Sequence, residues 1–271
     1  MIKIIDLDKL FDKYIEKYVL DNVGKVKPEE IEDKIPVLYE EFGNAVQKDL
    51  DGKTPNEYYR EYSPEELLVA LKAHIDGDVP VSDFLIEAIT ANKESVKPVK
   101  AAIMQDDSEQ FIAYLMNIMT DLKAEIPVGR YIEFALYDYP DSIGELATEA
   151  LKENADAAKE KVLSCFDDAE DDKRERLTEI LSCVKERSDE VFDKLVSEFV
   201  KNKDKIPQYA SYLSKYGDDR AIPVLKAAIE GKVNYQEFEE LKFAIEVLGG
   251  EYTEKRDFTQ DAIYKKIKGK K

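Results

Sequence analysis

Tryptophan is absent from this 271-residue chain, histidine occurs once and cysteine twice. Each shortage removes a class of chemistry. His74 stands alone inside the helical pattern "EELLVALKAHIDG". One imidazole cannot build a His-based metal site, and no motif offers it a serine or cysteine partner. It reads as an ordinary helix residue. Cys165 and Cys183 lie in "VLSCF" and "ILSCV" without CxxC spacing, which excludes a zinc framework and a paired redox motif. Both fit small apolar positions on helix faces. Glycine (11) and proline (10) are scarce, and an all-β chain would need more turn residues. No apolar run approaches the length of a membrane span. The start, "MIKIIDLDKLFDKY", has acidic residues where a secretory signal has its apolar core, so a cytoplasmic protein is expected. P-loop, dinucleotide, HExxH and GxSxG patterns are missing. No catalytic, cofactor-binding or metal-ligating residue is nominated, and no cofactor is expected.

Positive charge is also short. The chain holds 59 acidic against 40 basic residues, a formal net charge of −19. Such a field repels nucleic-acid backbones and anionic membranes. A protein or peptide partner fits better. The exception is the end, "YKKIKGKK", where Lys265, Lys266, Lys268, Lys270 and Lys271 read as a frayed helix end whose lysines complement the helix dipole.

What the chain does have is amphipathic periodicity. A hydrophobic fraction of 44% beside a charged fraction of 37% suits many helices with one apolar stripe each. "SPEELLVALKAHIDG" is a full cassette: Ser63 as N-cap, Pro64 at the first position, Glu66 closing a capping box and Gly77 at the end. Thr54–Pro55 repeats the start, Pro28 opens another helix and Pro36 a further one. Apolar residues recur at helical intervals from Phe111 to Leu248, and "MIKII" is the only β-like run. The spacing predicts about fourteen helices and an all-α chain.

Three segments share a register: "DSIGELATEAL" from Asp141, "DEVFDKLVSEF" from Asp189 and "DRAIPVLKAAI" from Asp219. Each begins with an Asp read as a cap, at unequal intervals, as unequal helix pairs in a row would. In "YGDDRAIPVLKAAIEG", Pro223 falls in a first turn, where its missing N–H costs no hydrogen bond. Asp218, Arg220, Ala221, Ile222, Pro223 and Leu225 resemble the Asp–x–Arg–Ala–Ile–Pro–x–Leu run of HEAT-type repeats, read here as the second helix of a repeat. The motif covers residues 216–231; the helix-pair pattern alone extends over 128–202. The resemblance implies a right-handed α-α superhelix of stacked antiparallel helix pairs, with second helices lining a concave protein- or peptide-binding face. One domain over residues 1–271 is expected, with 1–62 as an N-terminal helical cap and 63–271 as HEAT-like pairs.

Three further stretches carry residue types suited to chemistry. Asp167, Asp168 and Asp171 in "DDAEDD" make a DDxxD, but no second acidic motif accompanies them, and a solvated loop before a helix explains them. "QKDLDGKTPNEY" has Asp49, Asp51 and Gly52 at EF-hand spacing, yet Gln47 and Tyr58 occupy the end-ligand positions, so a turn is the reading. Tyrosine is abundant at 16, clustered at Tyr58, Tyr59 and Tyr62 and at Tyr209, Tyr212 and Tyr216, which reads first as interlayer packing, with anchoring of a partner as the alternative. The function expected is a non-enzymatic scaffold for a protein or peptide. The alternatives are an enzyme on a helical scaffold, either like the HEAT-like DNA glycosylases or a metal-dependent diphosphate enzyme, and an acidic mimic of nucleic acid.

Overall fold

The computed structural model describes residues 2–23, 31–105, 108–137 and 139–268. The helix start expected at Pro28 and the tail residues Lys270 and Lys271 lie outside them. The described residues form 16 α-helices. Their β structure is one isolated bridge, Gln47 to Lys53. The chain is all-α, and it divides into two compact units, Met1–Pro127 and Val128–Lys271.

The first unit holds α1 (Leu7–Asp21), α2 (Ile35–Gly43), α3 (Pro55–Tyr58), α4 (Pro64–Asp76), α5 (Asp83–Thr90), α6 (Val96–Gln105) and α7 (Glu109–Asp121). Helix α4 is central and touches α5, α6 and α7. Its start is the expected capping box: Ser63 Oγ accepts from the Glu66 N–H, and the Glu66 carboxylate accepts from the Ser63 N–H at 2.9 Å. The Thr54–Glu57 box is also formed, although α3 runs only 4 residues. Rings of Phe11, Tyr14, Tyr39, Phe42 and Phe84 join α1, α2 and α5.

The second unit holds α8 (Val128–Leu136), α9 (Asp141–Glu153), α10 (Ala155–Phe166), α11 (Asp171–Leu181), α12 (Asp189–Lys201), α13 (Ile206–Tyr216), α14 (Ile222–Glu230), α15 (Tyr235–Val247) and α16 (Ala262–Lys268). Packing is chiefly between chain neighbours and next neighbours, as in a helical repeat. Chain neighbours pair as α8 with α9, α10 with α11, α12 with α13, and α14 with α15. The later members α9, α11, α13 and α15 also touch one another in sequence. Polar cross-ties join residues 27 to 31 positions apart: Lys152 to Glu179, Lys159 to Glu186, Lys194 to Asp167, Tyr216 to Ser188, Asp156 to Lys185, Lys205 to Glu175 and Arg220 to Asp189. That spacing is the length of one helix pair.

This packing corrects the register read from the sequence. Asp141 opens α9, the later member of its pair, whereas Asp189 and the Asp219 segment open earlier members, α12 and α14. The shared register thus mixed two kinds of helix, and that made the period look irregular. The segment from Asp218 is the first helix of its pair, not the second. The caps move by one residue as well. Ser188 caps α12, its Oγ accepting from the Val191 N–H, and Pro140 precedes α9, so Asp189 and Asp141 sit in the first turn as dipole complements.

The motif around Pro223 has a physical account. Asp218 accepts from the Arg220 N–H and opens a 3₁₀ turn, Asp219–Ala221, that runs into α14 with Pro223 in its first turn. Arg220 grips Asp218 at 2.7 and 3.0 Å, reaches Asp189 of α12 at 2.7 Å and lies over the Phe192 ring at 4.3 Å. Ala221, Leu225 and Ile229 are fully buried. The same device occurs in the first unit, where sequence reading found no motif. Asn92 accepts from the Glu94 N–H, a 3₁₀ turn Lys93–Ser95 follows, and α6 continues from it, with Ser95 of the turn and Val99 and Ile103 of the helix fully buried. "VKAAI" ends this copy where "LKAAI" ends the other.

Candidate functional site: an apolar trough and a basic recess

Between α12 and α14 the second unit leaves a trough of about 430 Å³. Its walls are Phe199 and Val200 from the end of α12, Ile206 from the start of α13, and Val224, Ala227 and Ala228 from α14. The cause is local. Ala227 and Ala228 are too short to span the gap between neighbouring helices, and Gly231 ends α14 with no side chain there. Val200 stays 51% exposed, a branched apolar side chain facing water. Two lysines stand at the rim, Lys203 and Lys232, and neither forms an ion pair among the described residues. The carboxylate at the trough, Glu237, is occupied, accepting from the Asn234 N–H at 2.8 Å in a capping box. Arg256 donates to the Gly231 carbonyl at 2.8 Å and adds a third positive charge at that end. In a chain of net charge −19, the trough is a local exception.

A second concavity, about 730 Å³, opens where three segments meet: Glu149–Glu153 at the end of α9, Cys183–Arg187 after α11, and Lys215–Gly217 at the end of α13. Its lining is basic, with Lys152, Lys185, Arg187 and Lys215 against Glu149 and Glu153. The loop carrying Lys185 and Arg187 is fixed from two sides. Asp156 Oδ1 accepts from the N–H groups of Glu186 and Lys185, at 3.0 and 2.8 Å, and these bonds hold its carboxyl below the ordinary range. The Tyr216 hydroxyl accepts from the Ser188 N–H at 2.8 Å and donates to the Ser188 carbonyl at 3.1 Å. Gly217, with φ of 77°, turns the chain at the end of α13. A Cβ on it would sit 3.2 Å from Arg187 Nη2, so the glycine makes room for the guanidinium as well as for the turn.

The residues singled out from sequence fall elsewhere. Asp167, Asp168 and Asp171 do not converge: Lys194 holds Asp167 at 2.5 and 2.7 Å and Arg174 takes Asp171 at 2.8 Å. No cluster of three His, Cys, Asp or Glu side chains placed to hold a metal ion occurs among the described residues. Asp49, Asp51 and Gly52 form a turn closed by the Gln47–Lys53 bridge. His74 is fully buried, donating from Nδ1 to the Pro80 carbonyl at 2.9 Å. Its Nε2 has no hydrogen-bond partner among the described residues. Tyr58, Tyr59, Tyr209, Tyr212 and Tyr216 are buried and pack edge-on in part, as expected of interlayer residues. Cys165 and Cys183 are half-buried free thiols. Lys265, Lys266 and Lys268 lie in α16, and Lys265 bonds Gln260. Sequence reading missed both concavities. The one legible signal was the run of small residues "KAAIEG" on a helix otherwise built for packing.

Among the described residues no helix is long and apolar enough to cross a membrane. Comparison with protein-family models, with curated proteins and with solved structures found no match to this chain.

Proposed function

We propose that this chain is a HEAT-like α-α repeat protein that holds a protein or peptide segment in the trough between α12 and α14. The observation that carries the reading is the trough itself: an apolar cleft left open by Ala227 and Ala228 and rimmed by two lysines without ion pairs. Support for the repeat family comes from the Asp218–Leu225 motif, its second copy from Asn92, and the cross-ties 27 to 31 positions apart. The occupant that fits is a short segment with two or three apolar side chains flanked by carboxylates. Its apolar groups fill the space against Phe199 and Val224, and its acids meet Lys203 and Lys232. The reading places this binding in the cytoplasm, where Cys165 and Cys183 would stay reduced.

The test is selection from a displayed random-peptide library against the wild-type protein, followed by binding to Val200→Asp and Ala227→Glu. Both positions are exposed, so melting temperature should hold within a few degrees. Selected peptides should combine apolar and acidic residues and lose at least tenfold in affinity for either variant. No enriched class, or peptides that bind the variants equally well, would refute the trough as the site.

A further inference from the structure

The basic recess has a separate use. We infer that Lys185, Arg187 and Lys215 form a binding site for a compact polyanion, a small molecule bearing two or more linked phosphates. This rests on the recess alone and stands or falls apart from the peptide-binding reading.

Across the second unit Lys152, Lys159, Lys194, Lys205 and Arg220 each pair with a carboxylate from another helix or loop, whereas other cations such as Lys161 and Lys226 stand unpaired among the described residues and apart from the recess. Lys185, Arg187 and Lys215 form no side-chain ion pair or hydrogen bond among the described residues. Lys185 and Arg187 act at longer range on Asp156 and Asp218, but those carboxylates are occupied, the first by two backbone N–H groups and the second by Arg220. Of the carboxylates in the lining, Glu149 is held by Lys152 at 2.7 Å, which leaves Glu153 facing three free cations. A protein with a formal charge of −19 has abundant acid to quench such a cluster, and here it does not.

Geometry then selects the ligand. The cations arrive from two segments that Tyr216 and Ser188 clamp together, so the backbones that carry them are placed side by side before anything binds. Arg187 offers a planar fork and the lysines two point charges, the combination that complements phosphate oxygens. A single carboxylate would satisfy one cation and leave two. A volume of about 730 Å³ exceeds the needs of one orthophosphate and falls in the range of small-molecule sites.

Calorimetric titration at physiological salt tests the site with inorganic triphosphate, orthophosphate and sulfate as probes. Triphosphate should bind at least tenfold tighter than orthophosphate or sulfate. The variant K185Q/R187Q/K215Q should lose at least tenfold in triphosphate affinity, while K97Q, which removes a lysine of the first unit, should change it less than twofold. The three recess side chains are exposed, so an unchanged melting temperature will show that the variant is folded. The proposal is overturned by absence of triphosphate binding, by equal binding to the triple variant, or by an equal loss in K97Q. Binding of a doubly phosphorylated peptide without binding of triphosphate overturns it too, in favour of a peptide surface.

Discussion

Tyr216 gives both ends of its hydroxyl to one residue, Ser188, 28 positions earlier. Phenylalanine at this site keeps the buried ring and strands a backbone N–H and a carbonyl. Tyr216→Phe should therefore cost about 1–3 kcal/mol in urea unfolding, with an unchanged m-value. If the clamp also holds the recess open, the same variant should weaken triphosphate binding while Tyr212→Phe leaves it alone. Asp218 is the second residue whose loss is legible. Arg220 beside it holds its carboxyl below the ordinary 3.8. A depressed carboxyl contributes stability that is fully present above 3.8 and is lost as pH falls toward the folded-state value. The gap in melting temperature between wild type and Asp218→Asn should therefore be constant near neutrality and close below pH 3.8. A gap that persists undiminished in acid would show that Asp218 acts through its cap geometry alone.

At the scale of the helix, Gly144 inverts an ordinary expectation. It lies inside α9, where alanine would normally gain roughly 1 kcal/mol. Here a Cβ would meet Arg176 Nη1 at 2.5 Å. That guanidinium donates to the Ala135 carbonyl at 3.1 Å and to Asp141 at 3.0 Å, tying α11 to the end of α8 and the start of α9. Gly144→Ala should destabilise the wild type by about 1 kcal/mol, since the displaced guanidinium loses those bonds. In an Arg176→Ala background the same change should stabilise. A double-mutant cycle by chemical denaturation decides it, and additivity would sink the account. Caps were the most legible elements: Ser63, Pro64 and Glu66 sit where a local hydrogen-bond argument puts them. Periodicity likewise found the helices, because burying one stripe imposes the 3.6-residue spacing on any partner. It could not tell which helix pairs with which. Asp141, Asp189 and Asp219 carry similar local patterns, and only packing separates earlier from later members of a pair.

Over the whole molecule, the tyrosines give a test of the core. Burial, the largest cause in each case, pushes the phenols of Tyr39, Tyr58 and Tyr212 up to about 12, and raises Tyr59, Tyr131 and Tyr209 as well. A raised phenol contributes stability that is complete below its ordinary 10.0 and is lost as pH rises from there toward 12. Alkaline titration followed by tyrosinate absorbance should show these six phenols ionising only above 10.0, together with the loss of helical circular dichroism. One smooth step for all 16 tyrosines, complete before any loss of helix, would contradict the packing described here.

Composition and spacing alone determined that this chain is helical and acidic, and where some of its helices begin, as at Ser63 and Thr54. Those properties follow from backbone hydrogen bonding and from apolar periodicity, which act within a few residues of each position. The tertiary structure decided what residues 27 to 31 positions apart do for one another. It decided that Asp167 and Asp171 are held by separate cations, that Ala227 and Ala228 leave a cleft, and that Lys185, Arg187 and Lys215 face one recess. A charge's partner and a gap between helices are set by the relative placement of whole elements. That placement is fixed by the sum of many buried contacts, and no short stretch of sequence contains it.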